Sequence, residues 1–209
     1  ESWLILNDYN CDGKQDIFTY SSAGISVYKN TSVNLLSFSL SSPLLINSLS
    51  GLNIYVSPVD LPAISDIDND GDLDILTFDI SGGFVHYFIN KSIENYGNCD
   101  SLEYAHNNGC WGNFYEGLNT YILDCFNCLC PPITIGSSSR NGKHAGSTLI
   151  AMDIDGDMDK DLILGDVSYT NLTLLINGGT PQNAHIIMVD TAFPQNITNT
   201  IPADIHIFP

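Results

Sequence analysis

The sequence predicts an all-β chain built from repeated units of about four strands. Three observations carry that prediction. A short acidic motif occurs three times. Each copy is flanked by apolar runs rich in β-branched and aromatic residues. No stretch shows the periodicity of an amphipathic helix.

The motif places oxygen-bearing side chains at positions 1, 3, 5 and 9. The first copy reads Asp8, Asn10, Asp12, Gly13, Asp16, and the second Asp66, Asp68, Asp70, Gly71, Asp74. The third reads Asp153, Asp155, Asp157, Asp161, with Met158 at position 6 where the others have glycine. A hard cation such as Ca²⁺ takes about six to eight oxygens at roughly 2.3–2.6 Å, and a tightly curled loop aims alternate side chains at one point. Position 7 (Lys14, Asp72, Asp159) adds its backbone carbonyl, so the lysine of the first copy does no harm. Asp, Asn and Gly also favour ordinary turns. Turn preference does not explain why each copy ends in Asp and runs at once into Ile17-Phe18, Ile75-Leu76 or Leu162-Ile163-Leu164. The first two copies are therefore expected to hold Ca²⁺. In the third, Gly156 can relax the turn, but Met158 must take a conformation that glycine normally supplies. An EF-hand is excluded, because its loop closes on Glu at position 12 between helices, whereas position 12 here is Thr19, Thr77 or Leu164.

The elements follow in order. A strand is predicted before each motif, over Trp3 to Leu6, Leu61 to Ile64 and Thr148 to Met152. Another follows each motif, then a turn such as Ser21-Ser22-Ala23-Gly24 or Ser81-Gly82-Gly83. The next strands run Ile25 to Tyr28, Phe84 to Phe88 and Leu172 to Ile176, ending at Asn30, Asn90 and Asn177. A fourth strand fits before the next unit. First positions of successive motifs lie 58 and then 87 residues apart, and the surplus of 29 is assigned to a cysteine-rich insertion within about 95–132. A period near 60 with four strands is that of β-propeller blades. The expected units are 1–55, 56–94 with 133–145, and 146–209. Propellers close with about four to eight blades. The chain is thus expected to be a partial β-propeller, one arc completed by further sequence or another chain. It opens at Glu1 without a signal peptide and stops just after Ile205 to Phe208, so both ends are expected to be cut from something longer.

Net charge is −18, from 24 acidic and 6 basic residues. Thirteen of the acids lie in the motifs, where they repel one another without a counter-ion. Nucleic acid is excluded as a partner, since six Lys and Arg cannot form a phosphate-binding patch. No run of about 18 apolar residues exists to span a membrane. Of six cysteines, Cys11 sits at position 4 of the first motif, pointing away from a metal. Cys99, Cys110, Cys125, Cys128 and Cys130 cluster in the insertion. Cys125-x-x-Cys128 suggests zinc or a redox pair, but no second such pair follows, and disulfides stapling the insertion are the favoured reading.

The three motifs, each followed by an apolar strand, resemble the FG-GAP/VCBS repeats of integrin-α-like β-propellers. The resemblance covers the chain except the insertion. His144 to Leu149, Asp161 to Val167, Asn171 to Leu175 and Cys110-Trp111-Gly112 are similar to a narrower group, the VCBS-repeat proteins that Gram-negative bacteria export to their surface by type IX secretion. The resemblance implies that the Asp and Asn side chains bind Ca²⁺ and stiffen each blade. It further implies a secreted or cell-surface, non-catalytic module for binding and adhesion. Its partners would be an extracellular protein or glycan ligand and the remaining propeller blades. The Phe-Gly and Gly-Ala-Pro elements that name the integrin repeat are not clearly present, so an integrin-like ligand mode is not implied.

Other residues offer competing readings. Tyr104, Trp111, Phe114 and Tyr115 suit sugar stacking or a protein hot spot, or else the core of the insertion itself. Sequons occur at Asn30, Asn90, Asn171 and Asn196. Asp100-Ser101-Leu102 and Asp190-Thr191-Ala192 resemble a short bacterial O-glycosylation motif. Neither a Gly-x-Ser-x-Gly elbow nor a His-Glu-x-x-His motif appears. The enzymatic alternative is an accessory or scaffold propeller of a carbohydrate-active enzyme, with Glu103, Glu116 and Asp124 as its acid/base candidates.

Overall fold

Three four-stranded antiparallel sheets follow one another along the chain, each with an acidic loop between its first two strands. The computed structural model describes residues 3–22, 24–80, 82–117, 120–125 and 147–194. The first sheet holds β1 (Leu4–Asn7), β2 (Asp16–Ser21), β3 (Gly24–Asn30) and β4 (Phe38–Ser42). The second holds β5 (Ala63–Ser65), β6 (Asp74–Phe78), β7 (Val85–Asn90) and β8 (Tyr104–Asn108). A ribbon of β9 (Tyr115–Gly117) and β10 (Thr120–Ile122) precedes the third sheet, β11 (Ser147–Met152), β12 (Asp161–Asp166), β13 (Leu172–Asn177) and β14 (Ile186–Phe193). Strand order equals chain order in every sheet, the meander of a propeller-like blade. The short helix α1 (Ser92–Tyr96) lies between β7 and β8 and ends at Gly97, whose φ of 69° suits glycine.

Burial explains why these strands carry so few polar residues. Phe18, Ile25 and Val27 of the first sheet pack on Ile64, Ile75, Phe88 and Tyr104 of the second. The opposite face of the second sheet, with Leu76, Phe78, Val85 and Tyr87, packs on Leu149, Leu162, Leu164 and Leu175 of the third. β6 is therefore buried at all five positions, as a strand covered on both faces must be. At about 25 cal/mol per Å² of apolar surface, these two interfaces supply the main cohesion between sheets. Backbone bonds join the second and third sheets as well: Leu61 N–H donates to Ser147 and Leu149 N–H donates to Leu61, both at 2.9 Å.

The outer sheets differ from the central one. β1 leaves Leu4 and Leu6 more than half exposed, and Leu40 of β4 is exposed too. In the third sheet Ile150 and Met152 of β11 are exposed. Among the described residues the sheets do not close a ring.

One expectation needs correction, and one pair of alternatives is decided. The fourth strand of the second sheet is Tyr104–Asn108, inside the interval read as an insertion, while 133–145 lies outside the described residues. The aromatics of that interval are core rather than a ligand platform. Tyr104 is fully buried between the first two sheets, and Trp111 and Phe114 are buried between the second and third. Tyr115 packs edge-on against Phe84.

Candidate metal centres

Loop 1 (8–15), loop 2 (66–73) and loop 3 (153–160) join the first two strands of successive sheets. In each, the residue before the motif pairs with the Asp at position 9: Asn7 with Asp16, Ser65 with Asp74, Met152 with Asp161. The hairpin thus closes on that carboxylate.

Within the loops one hydrogen-bond pattern recurs. The position 1 carboxylate accepts the N–H of position 6, from Gly13 at 2.7 Å, Gly71 at 3.2 Å and Met158 at 3.1 Å. Its other oxygen accepts position 5 in loops 1 and 2, and position 4 (Gly156) in loop 3. Position 3 (Asn10, Asp68, Asp155) accepts the position 5 N–H at 3.3 Å in all three loops. Position 5 (Asp12, Asp70, Asp157) accepts the position 7 N–H at 3.0 Å, in loop 1 from Lys14. This curl needs two left-handed residues per loop: Cys11 and Gly13, Asn69 and Gly71, Gly156 and Met158. Met158 adopts φ of 77° despite its side chain, so the third loop keeps the shape of the others.

Position 9 does more than the spacing suggested. Asp16, Asp74 and Asp161 are fully buried. Each takes the N–H of position 2 (Tyr9, Ile67, Ile154) on one oxygen and the N–H of Asn30, Asn90 or Asn177 on the other. One carboxylate therefore clamps its loop to the end of the third strand. Asp74 also accepts the Tyr87 hydroxyl at 3.0 Å. Burial pushes the Asp74 carboxyl up to about 8, with Asn90 N–H opposing and Asp68 adding to the rise. Burial likewise raises Asp16 and Asp161. The asparagines that end the third strands were not recognised as part of the site. Their signal was present, because Asn follows that strand in all three units. Asn90 is 1% exposed, so its sequon cannot accept a glycan in the folded chain.

The loops also touch one another. Asn69 donates its amide to the carbonyl of Met158 and accepts Lys160 Nζ at 2.7 Å, and Gln182 donates to the Asp68 carbonyl. Cys11 Sγ lies 3.8 Å from the Gly71 carbonyl. That sulfur has no proton to donate, because Cys11 is disulfide-bonded to Cys99. The pairing ties loop 1 to the segment after α1, 88 residues away, rather than stapling the insertion internally. Cys110 and Cys125 are also disulfide-bonded, which removes Cys125 as a zinc ligand. Cys128 and Cys130 lie outside the described residues.

The donor set fits a hard cation. Carboxylate oxygens of Asp66, Asp68 and Asp70 lie within 4.8 Å of one another, as do those of Asp153, Asp155 and Asp161. Ligands on opposite sides of a Ca²⁺ ion, at about 2.4 Å each, stand about 4.8 Å apart. Asp70 Oδ2 and Asp159 Oδ1 are buried without a hydrogen-bond partner, a costly arrangement that a cation would relieve. Loop 1 carries Asp8, the Asn10 amide and Asp12 at the same motif positions, with Asn10 Nδ2 donating to Asp12 Oδ2 at 3.3 Å. At position 7 the side chains of Asp72 and Asp159 are themselves buried, beyond the carbonyl assigned to them.

The acid/base candidates each have surroundings of their own. Glu103 accepts the Tyr96 hydroxyl, and Asp124 pairs with His185 Nε2 at 2.7 Å. Glu116 is buried in a cleft with Tyr121, Asp166, Tyr169, Asn171 and Thr173, and its Oε2 has no partner. Burial, then the nearby charge of Asp166, pushes its carboxyl up to about 8.

The family model described as the FG-GAP-like repeat matches residues 8–77. The match spans loop 1, the remainder of the first sheet, loop 2 and most of β6. No curated protein matches the chain.

Proposed function

Residues 8–77 carry an FG-GAP-like repeat, and from that premise we propose that the chain is a calcium-stabilised arc of a β-propeller serving as a non-catalytic binding or adhesion module at the cell surface. The observation that carries this reading is the same hydrogen-bonded curl built three times between the first two strands of successive sheets, with carboxylates converging in loops 2 and 3 and buried carboxylate oxygens left unpartnered in both. Asp8, Asn10, Asp12, Asp66, Asp68, Asp70, Asp153, Asp155 and Asp157 would supply side-chain oxygens to the ions. Asp16, Asp74 and Asp161 would lend any free valence while clamping the hairpin. Bound Ca²⁺ would neutralise the loops and contribute no reaction step.

The exposed apolar faces around Leu4, Leu6 and Leu40 and around Ile150 and Met152 are where neighbouring blades would pack, supplied by the parent chain or another chain. Disulfides and extracellular calcium modules belong to the same compartment. Such modules bind Ca²⁺ at about 10⁻⁴–10⁻³ M, within reach outside a cell and not in the cytosol. The ligand would be a surface protein or glycan. Surface export of the type IX kind is part of this proposal and rests on the resemblance alone.

Thermal unfolding tests the metal. At a calcium concentration about tenfold above Kd, each site adds about 1.4 kcal/mol, so excess chelator should lower Tm by several degrees, and an unchanged Tm removes calcium from the account. Binding to a glycan or cell-surface protein array, without turnover, tests the module. The accessory role in a carbohydrate-active enzyme is favoured by one observation, the buried carboxyl of Glu116 in a polar cleft. Glycan hydrolysis by the chain that disappears in Glu116→Gln would establish that role instead.

A further inference from the structure

We infer that loop 2 holds a second divalent cation, of the Ca²⁺ class, between Asp70, Asp72 and Glu94, sharing Asp70 with the ion inside the loop. Carboxylate oxygens of these three residues lie within 4.8 Å of one another, as a second group that shares only Asp70 with the cluster of Asp66, Asp68 and Asp70. The loop motif requires only a carbonyl from position 7, yet the Asp72 side chain is 1% exposed. One of its oxygens accepts the Ile93 N–H of α1 at 2.9 Å, and Oδ1 has no partner. Asp70 repeats the arrangement, with Oδ1 on the Asp72 N–H and a buried, unpartnered Oδ2. Glu94 reaches the pair from α1 and gives one oxygen to Lys91. A single ammonium at the rim offsets one of three negative charges and leaves both buried oxygens unserved. Carboxylates that converge with free lone pairs are a hard-cation site by the chemistry of their donors.

The neighbouring loops lack this set. Position 7 of loop 1 is Lys14, whose ammonium opposes a cation. Loop 3 keeps an unpartnered oxygen on Asp159, but Gly178-Gly179 follow Asn177 where Lys91 to Glu94 follow Asn90, and among the described residues no acid from outside the loop joins it. An ion here would bind α1 to loop 2 at one end of a segment whose other end, Cys99, is bonded to loop 1. It would brace the two loops as one unit.

The inference rests on the calcium reading of the loops, and counting ions separates the two. Equilibrium dialysis with Ca²⁺ alone, at saturation, gives ions per chain for the whole protein and its variants. Glu94→Gln should lose one ion while keeping its fold by circular dichroism. Asp70→Asn should lose two, because it serves both sites. If Glu94→Gln binds as many ions as the wild type with the same affinity, water or Lys91 alone occupies the place and the second site is overturned. If the wild type binds no calcium, the reading of the loops fails first and takes this one with it.

Discussion

Loops 2 and 3 make the same turn from opposite ends of one rule. Both place Asp at positions 1, 3, 5, 7 and 9, and both need left-handed residues at positions 4 and 6. Loop 2 puts glycine at position 6 and asparagine at position 4. Loop 3 reverses the order, with Gly156 at position 4 and Met158 at position 6. An added Cβ at Gly71 or Gly156 would meet nothing within 4 Å, so the demand is conformational and not steric. Met158 accordingly leaves its side chain 72% exposed in solvent. The comparison teaches that the hydrogen bonds to the position 1 and position 9 carboxylates impose the loop. Residue preference at position 6 sets only how much strain the loop carries.

The strongest way to break the comparison is at position 9. Asp74→Ala would strand the N–H groups of Ile67 and Asn90 and the Tyr87 hydroxyl inside the central sheet. It should cost about 3–5 kcal/mol in denaturant unfolding. Asp161→Ala strands two N–H groups without a hydroxyl and should cost about 2–3 kcal/mol. Equal losses would show that the clamp is not what sets the loops. The glycine exchange sharpens the comparison at smaller scale. Gly71→Ala should cost about 1–2 kcal/mol, and Met158→Gly should add about 1 kcal/mol, because the left-handed backbone is costly for any residue with a Cβ. A loss of stability in Met158→Gly would mean that the thioether holds the loop by a contact that its exposure argues against.

The smallest effect is a control that leaves both loops untouched. His86 Nδ1 and His106 Nε2 lie 3.0 Å apart between β7 and β8, with Asp79 3.4 Å from His86 Nε2. Burial, then the neighbouring His86, pushes His106 down to about 4 from an ordinary 6.5. A lowered pKa means that the unfolded chain takes up the proton first. The contribution is therefore complete above pH 6.5 and is lost as pH falls toward 4. His106→Gln should flatten the acid limb of a plot of Tm against pH. Its shift on adding calcium at neutral pH should match the wild type.

Much of this architecture was legible because metal spacing and strand pattern coincide. Asp16, Asp74 and Asp161 each end a motif and begin a strand, so one residue fixed both the loop and the register. The expected ends of the third strands at Asn30, Asn90 and Asn177 match the strands observed. β8 was missed because Tyr104-Ala-His-Asn-Asn shows no apolar alternation and sits among cysteines. It is an outermost strand, with Asn107 and Asn108 facing water and only Tyr104 and the small Ala105 buried. The Cys11–Cys99 pairing was also out of reach, since spacing does not fix connectivity and the cysteines meet only after two sheets have packed. Glu94 carries no motif at all. Its place beside Asp70 and Asp72 comes from a one-turn helix whose start is fixed by Asp72 accepting the Ile93 N–H.

The central claim is that cations occupy the curled loops and hold successive hairpins. Crystals grown with abundant calcium and measured for anomalous scattering test it most directly. The account predicts a peak inside loops 1, 2 and 3, each within about 2.3–2.6 Å of oxygens from positions 1, 3 and 5. Aspartates splayed toward solvent with no peak among them would contradict it.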